Sequence, residues 1–182
     1  MNNVTKYQYS SVQVSLSRPA ADQIFEWGEQ YIEDSKIFCD PHDPVYGRED
    51  EIHITVLYGL HTEQAELVRE LLRNEPAFRV KLGAVSIFST NPKFDVIKIE
   101  IISDALHHLN EKLSYNLAST ILYNKYLPHI TIAYVEKESC NHLRGCMDFN
   151  GIVHNVTDLR FCHRDRHYTA LPLACKTIRL AV

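Results

Sequence analysis

Two tripeptides carry the strongest chemical signal in this sequence of 182 residues: His53-Ile54-Thr55 and His129-Ile130-Thr131. Histidine has an unperturbed pKa of about 6.5, so near neutrality it serves as proton acceptor or donor. A threonine hydroxyl donates a hydrogen bond to an oxygen that gathers negative charge. Paired histidines, one neutral and one charged, are what phosphodiester cleavage by a neighbouring hydroxyl requires. One takes the proton of the attacking oxygen and the other protonates the leaving oxygen. With ten histidines in the chain, a single His-x-Thr arises readily by chance. Here the match extends to HITVLY at 53–58 and HITIAY at 129–134. Which histidine is the acid and which the base does not follow from the residues.

Both copies read as strands, in which residues i and i+2 share a face. His53 and Thr55 then share one face while Ile54, Val56 and Tyr58 share the other. His129 and Thr131 oppose Ile130, Ile132 and Tyr134 in the same way. Tyr58 and Tyr134 are therefore assigned to the buried side, and only a β-bulge would turn them toward the histidines. The internal echo predicts a duplicated architecture of two lobes sharing a groove.

The flanking chain alternates strand-like and helix-like stretches. SVQVSL at 11–16 alternates apolar and polar residues, and after Pro19 the spacing of Ile24, Trp27 and Tyr31 predicts a helix with Trp27 in the core. Residues 36–50 form a long loop containing prolines and acids. Thr62 is positioned to cap a helix over 62–74, ended by Pro76. Strands follow over 77–88 and 94–102, joined by STNPK, then a helix over 104–116 capped by Ser103 or Asp104. A short helix near 137–144 precedes two more strand candidates, GIVHNVTDLRFC and CKTIRLAV. The expected class is α+β: a single bilobal domain over residues 1–182, two antiparallel sheets facing a central cleft, helices outside.

Composition narrows the function. A formal net charge of -4 and a pI near 6.2 leave no basic stripe for long nucleic acid, whereas a small anionic substrate needs only local complementarity. No apolar run reaches the roughly 18 residues of a membrane span. The N-terminus lacks the apolar core of a secretion signal. Cys39, Cys140, Cys146, Cys162 and Cys175 are odd in number without a C-x-x-C pair, which reads as free thiols in a reducing cytoplasm. His163 and His167, beside Cys162, have no partner pair at ligand spacing, so no metal and no cofactor is expected. His107 and His108 fall on one helix without sharing a face, and His61 reads as surface.

A nucleotide substrate wants aromatic faces for stacking. Tyr46, Phe88, Tyr123 and Tyr126 lie near the motifs, and Tyr126 and Phe88 are the chosen substrate-binding candidates. Packing is the ordinary fate of any one such ring. Lys125, Arg48 and Lys93 are cations within reach, for which plain solvation is the default.

The two HIT tripeptides, the second preceded by Pro128, resemble the 2H phosphoesterase superfamily, which uses paired His-x-Thr or His-x-Ser motifs. It includes 2'-5' RNA ligase-like proteins and cyclic-nucleotide phosphodiesterases. The resemblance implies a bilobal fold, no metal, and His53, Thr55, His129 and Thr131 as the catalytic four. More narrowly, HITVLYGL, FDVIKIEI and PHITIAYV look like the phage anti-CBASS phosphodiesterases. That likeness implies a cyclic di- or trinucleotide immune signal as substrate, cut at a 3'-5' linkage in the host cytoplasm. Two other readings stand beside it: an RNA end or 2'-5' oligonucleotide phosphodiesterase, and a cyclic-nucleotide sponge that binds without cutting.

Overall fold

The alternating patterns at the two HIT segments do become strands, and the strands adjoin one another. In a computed structural model, which describes residues 7–41, 46–120 and 125–174, the elements run β1 (Ser10–Ser15), α1 (Arg18–Tyr31), β2 (His53–Leu60), α2 (Ala65–Leu72), β3 (Phe78–Phe88), β4 (Phe94–Ile102), α3 (Asp104–Asn116), β5 (His129–Glu136), β6 (Val153–Val156), β7 (Asp158–Cys162) and β8 (Tyr168–Pro172). The eight strands form one antiparallel sheet in the order β6-β3-β4-β5-β2-β1-β7-β8. The expectation of two separate sheets is thus corrected.

The physical reason lies at the seam. The motif strands are the inner edges of two four-stranded halves, and Ile54 and Ile130 are fully buried there. Buried edge amides left unpaired are costly, so the edges join at Ile54↔Ile130. On either side the pairing is taken up by segments that lead into the motif strands. Arg48 bridges Ala133 and the Glu49 amide donates to the Ile132 carbonyl at 2.9 Å; Ser119 bridges Leu60 and the Thr120 amide donates to the Gly59 carbonyl at 2.8 Å.

The motif strands also depart from the regular alternation expected of them. Val12 pairs with Leu57 and Gln13 with Thr55, so Val56 is an extra residue; Ile97 pairs with Ala133 and Lys98 with Thr131, so Ile132 is extra. Each strand is bulged at the same motif position. One extra residue inverts the alternation beyond it. Tyr58 and Tyr134 therefore leave the buried side and join the face of His53, Thr55, His129 and Thr131. A helix braces each bulge. Asn110 on α3 donates to the Val56 carbonyl at 2.8 Å, and Gly28 on α1 sits so close that an added Cβ would lie 2.8 Å from Ile132 Cγ2.

The helices cover the opposite face, α1 on β5, α3 on β2 and α2 on β8. There Ile24, Leu106 and Leu113 meet Ile54, Val56, Ile97, Ile99 and Ile130 in the core. Trp27 is buried as expected and donates its indole N–H to Asp148 at 2.7 Å. Arg48 donates to the Gly28 and Ile32 carbonyls, closing the end of α1, and pairs with Asp34 at 2.8 Å. Ser103 caps α3 through the Leu106 amide.

The C-terminal third departs from its pattern. GIVHNVTDLRFC is two strands rather than one: β6 pairs with β3 and β7 with β1, so the break at Thr157 carries the chain from one half of the sheet to the other. The helix expected near 137–144 is a single 3-10 turn, Asn141–Leu143. β8 falls in a stretch without a strand signal, and CKTIRLAV lies outside the described residues from Cys175 onward.

Candidate active site

The seam pair Ile54↔Ile130 acts as the centre of a local two-fold. Continued one residue each way, an antiparallel register sets His53 opposite Thr131 and Thr55 opposite His129. All four side chains leave the same face, away from the helices, and all four are partly exposed. The sequence therefore identified residues that the fold brings together, from positions 76 apart in the chain.

Each imidazole is held by its own strand entry. His53 Nδ1 lies 2.6 Å from the Glu51 carbonyl and His129 Nδ1 lies 2.7 Å from the Leu127 carbonyl. A carbonyl only accepts, so both Nδ1 atoms carry hydrogen and both Nε2 atoms are left for the groove. Burial lowers both histidines from their ordinary value, because desolvation disfavours the charged ring. The neighbouring charges differ. Lys98 and His53 both push His129 further down, whereas at His53 the effect of Arg160 is opposed by Glu51.

The flanking strands repeat the two-fold. Beside Thr131 stands Lys98 and beyond it Ser86; beside Thr55 stands Gln13 and beyond it Arg160. Each half thus contributes one cation to the groove face. Lys98 donates to Ser86 at 2.6 Å and lies 4.3 Å from the centre of the Phe88 ring. Burial lowers its pKa. Arg160 donates to Gln13 at 3.0 Å, stacks on Tyr168 at 4.1 Å and lies 3.7 Å from Glu51. Its Nη2 is buried and makes no hydrogen bond among the described residues. Neither cation was singled out from the sequence, which pointed instead to Arg48, Lys93 and Lys125. A lone lysine inside the apolar run FDVIKIEII was the available signal.

Phe88 meets His129 edge-on, with ring centres 5.0 Å apart. Tyr126 donates its hydroxyl to the Thr55 carbonyl at 2.9 Å, and burial raises its pKa. Both candidates therefore touch the motif residues themselves. Tyr46 lies among Phe38, Phe94 and Tyr134, while Tyr123 falls outside the described residues. Arg48 holds the end of α1 as above, and Lys93 and Lys125 are exposed. His163 bonds Thr169 at 2.9 Å and His167 pairs with Asp165 at 3.0 Å. Among the described residues no three His, Cys, Asp or Glu side chains are grouped to hold an ion, and Cys39, Cys140, Cys146 and Cys162 are free thiols. No described helix is long and apolar enough to cross a membrane.

The family profile described as the 2'-5' RNA ligase superfamily matches residues 21–167. The chain belongs to this superfamily, the 2H phosphoesterases. Its matched span contains both HIT motifs and every strand from β2 to β7. No curated protein matches the sequence. Among solved structures, Escherichia coli LigT complexed with 3'-AMP is similar with a TM-score of 0.65 and 17% identity, covering 92% of this chain and 95% of that one. TT0787 of Thermus thermophilus gives 0.59 at 18% identity, over 90% and 95% of the two chains. A structure described as a phosphoesterase gives 0.58 at 17% identity, over 92% and 96%. At these identities the likeness is one of fold, and it agrees with the 2H phosphoesterase architecture that the paired motifs imply.

Proposed function

We propose that this 2H phosphoesterase is a phosphodiesterase that works by two-histidine acid–base catalysis without a metal. The observation that carries the reading is the pair of Nδ1-anchored histidines on one face about a local two-fold, each with the other motif's threonine opposite. One neutral histidine takes the proton from a ribose 2'-hydroxyl as that oxygen attacks phosphorus. The other, protonated, gives its proton to the departing 5'-oxygen. The new P–O2' bond replaces the broken P–O5' bond and leaves a 2',3'-cyclic phosphate, with the two histidines exchanged in charge. Thr55 and Thr131 donate to the non-bridging oxygens, and Lys98 and Arg160 offset their charge.

For the substrate we favour cyclic di- or trinucleotide signals of bacterial antiviral defence, cut at 3'-5' linkages in the cytoplasm, with Tyr126 and Phe88 at the substrate. Support comes from the acidic net charge and from the likeness of the residues around the motifs to phage anti-CBASS enzymes. The family description favours a second reading, a 2',3'-cyclic-phosphate or 2'-5' oligonucleotide substrate. The test is a panel of cyclic di- and trinucleotides, 2'-5' oligoadenylates and short RNAs, incubated with the protein plus chelator and read by mass spectrometry. Linearised cyclic dinucleotides support the first substrate. Cleavage of linear or cyclic-phosphate-ended RNA alone moves the substrate to the second. Binding without any product removes the catalytic reading and leaves a sponge.

A further inference from the structure

The two bulges have a consequence beyond the motif residues. In one half Tyr134 stands beside Val96 on the groove face, and Phe94 is the next residue of that face along β4. Phe94 lies 5.4 Å from Tyr134, 5.0 Å from Tyr46 and 5.1 Å from Phe38, centre to centre. Phe38, Tyr46 and Phe94, with Asn91 and Lys93, line a cavity of about 190 Å³. In the other half Tyr58 stands beside Ser11, is 38% exposed, and meets Tyr9 edge-on at 5.9 Å. Tyr9 in turn stacks on His61 at 5.6 Å.

These rings lie on the face that the helices leave uncovered, so the apolar core does not account for them. Tyr58 and Tyr134 occur once in each half, three residues past each threonine; because each bulge adds a residue, each stands only two pairing positions from its threonine, at Ser11 against Gln13 and at Val96 against Lys98. At ~3.3 Å per position that is about 7 Å along the sheet, within the reach of one nucleoside from a phosphate held at the threonines. Base stacking on such rings contributes roughly 1–3 kcal/mol per base.

We propose that each aromatic cluster is a nucleobase subsite and that the recognised unit is a dinucleoside phosphate. The scissile phosphate sits between the histidines and one base stacks on either side, at Tyr58–Tyr9 and at Phe94–Tyr46. The inference rests on the two-histidine reading of the groove and adds to it the number of bases held. A 2',3'-cyclic mononucleotide fills one cluster only.

The experiment measures binding by calorimetry on the His53→Ala/His129→Ala protein, which holds substrate without turning it over. The probes are cyclic di-adenosine monophosphate, a linear adenosine dinucleotide and adenosine 2',3'-cyclic monophosphate. Tyr58→Leu and Phe94→Leu, added one at a time, each weaken dinucleotide binding roughly 5- to 150-fold. Only one of them weakens the mononucleotide. Tyr58→Phe and Phe94→Tyr, which keep a ring, restore affinity and separate stacking from misfolding. Equal affinity for mono- and dinucleotides, or leucine variants that bind like their parent, overturns the proposal. Turnover by the protein with both histidines distinguishes the two levels. Ring-dependent binding without cleavage removes the phosphodiesterase reading and keeps the subsites. Cleavage that ignores the rings does the reverse.

Discussion

At the scale of single residues, the two histidines share geometry but not electrostatics. Both are lowered by burial, yet Lys98 acts on His129 alone. The charges that face them differ: Lys98 disfavours the imidazolium of His129, while at His53 Arg160 is opposed by Glu51. Replacing Lys98 with Met removes a charge that disfavours imidazolium, so the pKa of His129 rises. The expected result is an upward shift of one limb of the bell-shaped kcat/KM profile, with the other limb in place. A pH series on the variant checks it. The threonines are a second residue-scale prediction. Thr55→Val or Thr131→Val removes a donor to the non-bridging oxygens and lowers kcat by about 10²–10³-fold, with substrate affinity little changed. Steady-state kinetics on each variant decides whether the loss falls on kcat.

At the scale of elements, the strands and helices near the motifs were legible because one period dominated each of them. FDVIKIEII alternates and becomes β4, and α3 spans Asp104–Asn116 with its Ser103 cap as the sequence indicated. The phase beyond Val56 and Ile132 was not legible. A bulge adds one residue without a residue type of its own, so HITVLY and HITIAY look like regular strands. The signal was in the partners: Gly28 gives α1 room over Ile132, and Asn110 satisfies the Val56 carbonyl. Lys98 and Arg160 escaped because register, not sequence distance, sets them beside the motifs. Gly28→Val tests the brace. Its side chain collides with Ile132 and costs about 1–3 kcal/mol, seen as a lower thermal midpoint. Activity in the folded fraction falls too, since the displaced bulge shifts Thr131.

At the scale of the molecule, the expected two sheets proved to be one because the buried inner edges of both halves need partners. The same burial ties stability to pH in opposite senses. The folded-state pKa values of His53 and His129 lie below the ordinary 6.5, so the unfolded chain binds more protons between those values. Their effect is to lower stability as pH falls through that window. Glu49 is the reverse case: burial raises it from 4.5 to about 7, so its effect lowers stability as pH rises from 4.5 through 7. Glu49→Gln should therefore raise the thermal midpoint at pH 8, by about 2–4 °C per kcal/mol, and leave it unchanged at pH 4. Thermal melts at the two pH values decide this.

The paired-histidine mechanism is tested most directly by the turnover of His53→Ala, His129→Ala and the double variant, with chelator present, on whichever diester the parent protein cuts. General acid–base catalysis supplies about 10²–10⁴-fold per group, and groups acting as a unit do not add. Each single variant should lose that much of kcat while keeping the thermal midpoint of a folded protein, and the double variant should lose little more. Near-full turnover by either single variant contradicts the mechanism.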